Sequence, residues 1–157
     1  MADNAPAAEA SGPAGGPVPG LTDRSHYRHW VRDTIRYSDT DMVGHVNNLA
    51  FAAYCETGRT MFMHAFPQPL IGVHSQTVIA RITINFLDEA HWPGEAEIGT
   101  GVIRVGNSSM TLGQGLFNEG RCFATSESTI VMIDRQTRRP SRIPDDFRDW
   151  LLSFRIG

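Results

Sequence analysis

Residues 48–66, NLAFAAYCETGRTMFMHAF, constrain this chain more than any other stretch. The run holds no proline and one glycine, Gly58, and its first half is apolar on nearly every side. It is too long for a strand and has the length of a helix of about 27 Å. Asn47 is placed to cap its start, and Pro67 and Pro69 stop it. A helix this apolar has to be covered by other elements.

The cover is a set of strands. Residues 27–37 mix aromatic, β-branched and polar side chains and predict a first strand before the helix. After it, Val78, Ala80, Ile82, Ile84 and Phe86 share one parity, the pattern of a long half-buried strand. Pro93-Gly94, Gly106-Asn107 and Glu119-Gly120 punctuate three more strands, over 95–105, 109–118 and 121–134. Residues 143–153 predict a short terminal helix with Pro144 at its first position. One long helix and about five antiparallel strands make an α+β fold, with the sheet curled over the helix.

The rest of the chain bounds the reading. Residues 1–22 are rich in Ala, Pro and Gly and read as a flexible arm, which leaves 23–157 as one domain. The arm lacks a basic stretch followed by an apolar one, so no signal peptide is expected. No apolar run is long enough for a membrane span. The net charge of -3 speaks against a nucleic-acid or acidic-membrane partner. All 14 basic side chains apart from histidine are Arg, which excludes Schiff-base, Walker-lysine and lysine-base chemistry. Cys55 and Cys122 are far apart and read as free thiols, with Cys55 packing in the helix; this suits a reducing, cytoplasmic setting. His45, His64, His74 and His91 are too scattered in sequence to predict a metal site, and no cofactor motif is present.

Chemistry concentrates just before the helix. Asp39, Asp41, His45, Asn47 and Asn48 crowd into ten residues where a polar loop meets an apolar helix. A helix start offers unpaired backbone amides that can hold a carbonyl oxygen as charge develops on it. A nearby carboxylate can attack that carbonyl or activate water, and a histidine four residues from Asp41 can orient it or move a proton. Each residue also has a plainer reading: Asp41 as a turn former, His45 as a structural donor, Asn47 as a cap. Glu56, mid-helix beside Ala52, Ala53 and Cys55, reads as a carboxylate that must be paired, with Arg59 or Arg81, or functional. Arg135, Arg138, Arg139, Arg142 and Arg148 read as a solvated stretch or as a landing site for phosphates.

The run IRYSDTDMVGHVNNLAFAAYCETGR, residues 35–59, resembles the signature of hotdog-fold acyl-CoA thioesterases. It is most similar to the 4-hydroxybenzoyl-CoA thioesterase-like group, related to the acyl-carrier-protein thioesterases. RCFATSESTIVMIDRQTRRPSRIP, from Arg121, resembles the family's last long strand and its exit, so the likeness covers roughly residues 28–145. It implies an antiparallel sheet wrapped around a central helix and a homodimer or homotetramer with active sites between subunits. It implies Asp41 as the catalytic carboxylate, nucleophile or base, and the Asn48 amide as the group that polarises the thioester carbonyl. It implies a catalytic-network role for His45, as in the carrier-protein branch. Val43 stands where that branch has Asn, which favours coenzyme A as the carrier; Phe51 stands where many relatives have Tyr. Asn47, Tyr54, Glu56 and Arg59 are the expected substrate-binding residues, and Tyr54, Met61 and Phe62 the expected helix contribution to an acyl pocket. The expected activity is hydrolysis of an acyl-CoA to acid and coenzyme A without metal or cofactor. The alternatives are an acyl-carrier-protein substrate, a non-catalytic acyl-CoA-binding protein, or another hotdog reaction such as dehydration.

Overall fold

The computed structural model describes Val18, residues 20–68 and residues 75–156. The elements follow in the order β1 (His29–Ile35), α1 (Asn48–His64), β2 (Ser75–Phe86), β3 (Gly94–Val105), β4 (Ser109–Asn118), β5 (Arg121–Asp134) and α2 (Asp145–Leu152). The five strands form one antiparallel sheet in the order β1-β3-β4-β5-β2. The expected α+β architecture is therefore present, with α1 as its main helix. The helix ends at His64, and Ala65 closes it before Pro67; Pro69 and His74 lie outside the described residues. Glu119 and Gly120 both take positive φ, the geometry of a tight hairpin between β4 and β5. Pro144 caps α2 from outside instead of forming its first turn, where Asp145 and Asp146 sit.

Side chains alternate across β3 and β4 and divide the molecule into two layers. Ala96, Ile98, Val102, Met110, Leu112 and Leu116 point at the helices, and all are buried. Against them α1 lays Phe51, Tyr54, Cys55, Gly58, Arg59 and Phe62, a stripe at helical spacing. Gly58 permits this approach, because a Cβ there would collide with Ile98 Cγ2 and Gln114 Nε2. In the space Gly58 leaves, the buried Gln114 amide donates to the carbonyl oxygen of Cys55 at 3.1 Å and to Thr100 Oγ1 at 3.2 Å. The helix is thus bonded to the sheet at mid-length.

The opposite face of the sheet is covered by residues from the chain's beginning. Leu21 is fully buried, and the Tyr27 hydroxyl donates to its carbonyl at 2.6 Å while the ring packs on Phe117. Leu21, expected within a flexible arm over 1–22, belongs to the packed structure, because its side chain finds an apolar site on the sheet. Residues 1–17 and 19 lie outside the described residues.

Two expectations about burial need correction. The outward side of α1 is open: Leu49, Ala53, Glu56, Thr60 and Met61 are exposed. Along β2 the even-numbered side chains are not uniformly covered, because the register slips between Ile79 and Arg81, and Ile79, Ile82 and Phe86 are all exposed. A bulge shifts the side-chain alternation beyond it, and β2 is an edge strand with one free side.

Candidate active site

The polar loop between β1 and α1 is organised by its own backbone. A short 3-10 turn at Tyr37–Asp39 places Asp39 so that its Oδ2 accepts from the Arg36 amide at 2.9 Å and from the Tyr54 hydroxyl at 2.7 Å. The Asp39 carbonyl then accepts from the Asn47 amide at 2.7 Å, which fixes where the helix begins. Burial and the Asp39 hydrogen bond both raise the Tyr54 hydroxyl's pKa above its usual value, so it stays a donor.

Asp41 closes a tight turn inside this frame. Its Oδ1 accepts from the Val43 amide at 2.8 Å and the His45 amide at 3.3 Å. Its own amide donates to the His45 carbonyl at 2.9 Å, and Gly44 takes φ +87 to complete the turn. The side chain is exposed, and Oδ2 has no hydrogen-bond partner among the described residues. One oxygen orients the carboxylate while the other faces solvent.

The helix start supplies the complementary group. The Asn47 side chain accepts from the Leu49 amide at 2.9 Å, as an N-cap does. The Ala50 amide donates to the Asn47 carbonyl at 2.9 Å. The Asn48 amide is bonded to nothing among the described residues, and the residue is exposed. Asn47 thereby commits the second amide of the helix and leaves the first as a free, oriented donor.

His45 engages two neighbours: its backbone amide donates to Asp41 Oδ1 at 3.3 Å, and its ring Nε2 lies 3.4 Å from Glu89 Oε2. The antiparallel bridge His45↔His91 and the Val46 amide on the Ala90 carbonyl, at 2.8 Å, bring residues 89–91 alongside. Glu89 and His91 are the neighbours sequence reasoning missed. They follow β2 in an irregular connection, and nothing in their local pattern places them near residue 45.

The substrate-binding candidates separate in space. Tyr54 is sealed at 1% exposure and holds the loop from below. Glu56 is exposed and forms no ion pair among the described residues, so a buried carboxylate in need of a partner is not what the fold contains. Arg59 is buried on the sheet side and reaches Ser128 Oγ at 3.4 Å; burial lowers its guanidinium pKa. Cys55 is fully buried, and burial pushes its thiol up to about 11, in keeping with a packing role.

An open cleft of about 820 Å³ lies beside the C-terminal half of α1. Arg59, Thr60, Met63 and Phe66 form one wall and Thr77–Ile79 with Ile130 the other. Met61 and Phe62 are not among its walls: Met61 is turned to solvent and Phe62 is fully buried in the second core. Farther away, Arg135, Arg138 and Arg139 are exposed after β5, whereas Arg142 pairs with Asp145 and Arg148 donates to the Gly106 carbonyl.

Comparison with known proteins agrees with this architecture. A family model described as the thioesterase-like superfamily matches residues 35–151, from the end of β1 into α2. The acyl-CoA thioester hydrolase YbgC of Escherichia coli O157:H7 is 25% identical over 114 residues, 70% of this chain and 85% of its own. Among solved structures, a predicted thioesterase from Bacillus stearothermophilus is 30% identical with a TM-score of 0.74, over 80% of this chain and 95% of that one. A thioesterase from Thermus thermophilus, complexed with coenzyme A and Zn, is 25% identical with a TM-score of 0.71, over 82% of this chain and 95% of that one. The family match spans the polar loop, the central helix and strands β2 to β5, and this chain belongs to the thioesterase-like superfamily with the hotdog fold.

Proposed function

We propose that this protein hydrolyses an acyl-CoA thioester to the free acid and coenzyme A, with Asp41 and the Asn48 amide at the reacting carbon. The carrying observation is the pairing, at one helix start, of a free oriented N–H with a carboxylate that has one pinned oxygen and one free. The thioester carbonyl oxygen accepts from the Asn48 amide, which stabilises the charge that develops on it. Asp41 Oδ2 either takes a proton from the water that attacks the carbonyl carbon, or attacks that carbon itself to form an acyl-aspartyl anhydride that a water then hydrolyses to the free acid, regenerating the carboxylate. The carbon–sulfur bond breaks, and coenzyme A leaves as a thiolate that takes up a proton. Asn47 sets the amide, Tyr54 holds the loop, and the His45 backbone orients Asp41. The Arg59 cleft is the space beside the helix that suits an acyl group. The relatives that act on or hold coenzyme A support it as the carrier, and the exposed Arg135, Arg138 and Arg139 are cations suited to its phosphates.

The active unit in this reading is at least a dimer. Met42, Val43, Leu49 and Trp92 expose apolar surface around the loop, and β2 presents a free edge with Ile79, Ile82 and Phe86 uncovered. Such a rim and edge suit a second copy, with Glu56 and Met61 on a face it can reach. Light scattering that returned a monomeric mass at working concentration would remove this part of the reading.

The deciding experiment is thiol release from a panel of aromatic and aliphatic acyl-CoAs, with Asp41→Asn alongside. Asn keeps an oxygen for the Val43 and His45 amides, so the loop is retained while the base or nucleophile is lost. Turnover should fall by about 10²-fold or more, with melting temperature unchanged. Full turnover in the variant would dismiss Asp41. Affinity without turnover would favour the acyl-binding reading, and turnover only on acyl carrier protein would move the carrier.

A further inference from the structure

We propose that His45, Glu89 and His91 form a binding site for a divalent first-row metal ion of the zinc or cobalt type. The inference stands on these three side chains and does not need the thioesterase reading. Nε2 of His45 lies 3.4 Å and Nε2 of His91 3.6 Å from the same Glu89 Oε2, and the three ligand atoms all fall within 4.8 Å of one another. Both nitrogen–oxygen separations are long for an N–H···O hydrogen bond, which prefers about 2.7–3.2 Å. They agree with a tetrahedral zinc site, where bonds of about 2.0–2.2 Å put ligand atoms about 3.4 Å apart.

The far side of His91 sets its tautomer. Its Nδ1 lies 3.2 Å from the Gly44 carbonyl oxygen, which can only accept. Nδ1 therefore carries the proton, and in the neutral ring Nε2 turns a lone pair toward the Glu89 carboxylate. A lone pair facing a carboxylate is bridged by a proton or by a metal ion between them. A carbonyl holding the remote ring nitrogen is also the usual outer support of a metal-bound histidine.

The backbone prepares the donors. The His45↔His91 bridge sets the two rings opposite each other across a short antiparallel pair, their centroids 5.0 Å apart and planes at 85°. Gly44, whose carbonyl fixes His91, also completes the Asp41 turn. Two imidazoles and one carboxylate leave a fourth position open to water. Bound metal cross-links the Asp41 turn to the connection before β3, through the His45 ring beside Glu89 and His91. The scattered histidines of the sequence are thus, for this pair, neighbours in space.

Cobalt is the probe, because its visible absorption reports a four-coordinate nitrogen–oxygen site directly. Tag-free, chelator-treated full-length protein titrated with Co²⁺ should saturate at one equivalent per chain, bleach on adding Zn²⁺, and melt at a higher temperature when loaded. His91→Ala and Glu89→Gln should each weaken binding at least tenfold while the metal-free melting temperature holds. If either variant misfolds, long-range ¹H–¹⁵N spectra of the wild-type histidines decide: Zn²⁺ should shift the Nε2 signals of His45 and His91 together. Absence of saturable binding, undiminished binding by a folded His91→Ala, or shifts confined to other histidines would each overturn the site.

Discussion

The two ends of α1 are built on opposite rules. At its start, order is assembled from backbone: amides of Val43 and His45 on Asp41, the Asp39 carbonyl on the Asn47 amide, and an Asn48 amide without a partner among the described residues. Asp41 and Asn48 are exposed there, and Asp39, His45 and Asn47 are half-buried. At its far end, structure is assembled from side chains: Phe62 meets His29, Trp150 and Phe154, and Phe66 meets Phe147 and Trp150. A loop defined by short hydrogen bonds can keep its geometry in water, whereas the aromatic end exists only because α2 and the sheet exclude water from it. The difference separates a hydrogen-bonded polar loop from a packed aromatic core along one helix.

The strongest way to break this division is Phe62→Ala. Phe62 is fully buried among aromatic rings, so truncation removes transfer energy and leaves a cavity. The expected loss is about 3–5 kcal/mol in urea unfolding, while initial rates at low temperature, where the variant stays folded, remain within about threefold. A far larger fall in rate of the folded variant would show that the two ends are coupled and the division false.

Tyr54→Phe tests a side chain that reaches from the core to the loop. Its hydroxyl donates to a carboxylate at 2.7 Å, and a hydrogen bond to a charged group contributes about 1.5–3 kcal/mol. The variant should lose about that much in denaturant unfolding. It should also lose about tenfold in kcat, because Asp39 positions Asn47 and thereby the Asn48 amide. Lost stability with unchanged kcat would confine Tyr54 to the scaffold.

The same contrast explains what could be read without coordinates. The loop and helix start are contiguous in sequence, so Asp41, the Asn47 cap and the Asn48 amide were legible from spacing and capping rules. The β4–β5 hairpin followed from its turn residues, but the strand order did not: a simple meander after the helix would put β2 beside β3, whereas β2 pairs with β5 at the far edge. The cleft was not legible, since its walls come from α1, β2 and β5, and only tertiary packing shows that Met63 and Phe66 face it while Phe62 does not. Glu56 was misread for a related reason. A run apolar on nearly every side suggests burial all round, yet this sheet covers one stripe of α1, and Glu56 lies off it. Glu89 and His91 join His45 through a bridge between two irregular segments, a pairing without a local signature.

The smallest expected effect is also the most specific to the aromatic end. His29 sits on β1 against Phe62, their ring centroids 5.3 Å apart, and its buried Nδ1 has no hydrogen-bond partner among the described residues. Burial lowers its pKa below the usual 6.5, so the folded protein favours the neutral ring. In the unfolded chain the imidazole protonates at its ordinary value. Between the two, the unfolded state binds more protons, and stability falls as acid is added. The contribution is fully present above the unfolded value, shrinks as pH falls through it, and reaches its floor below the depressed folded value. One group gives a slope of at most about 1.4 kcal/mol per pH unit. His29→Gln removes that proton uptake, so unfolding free energies from pH 7.5 to 5.0 should decline less steeply than in the wild type. Because His29 lies on the aromatic side of α1 and away from the Asp41 turn, the pH profile of kcat should not move with it. Equal slopes in wild type and variant would mean that the ring is free to protonate in place, and that the aromatic end of the helix is wetter than its packing implies.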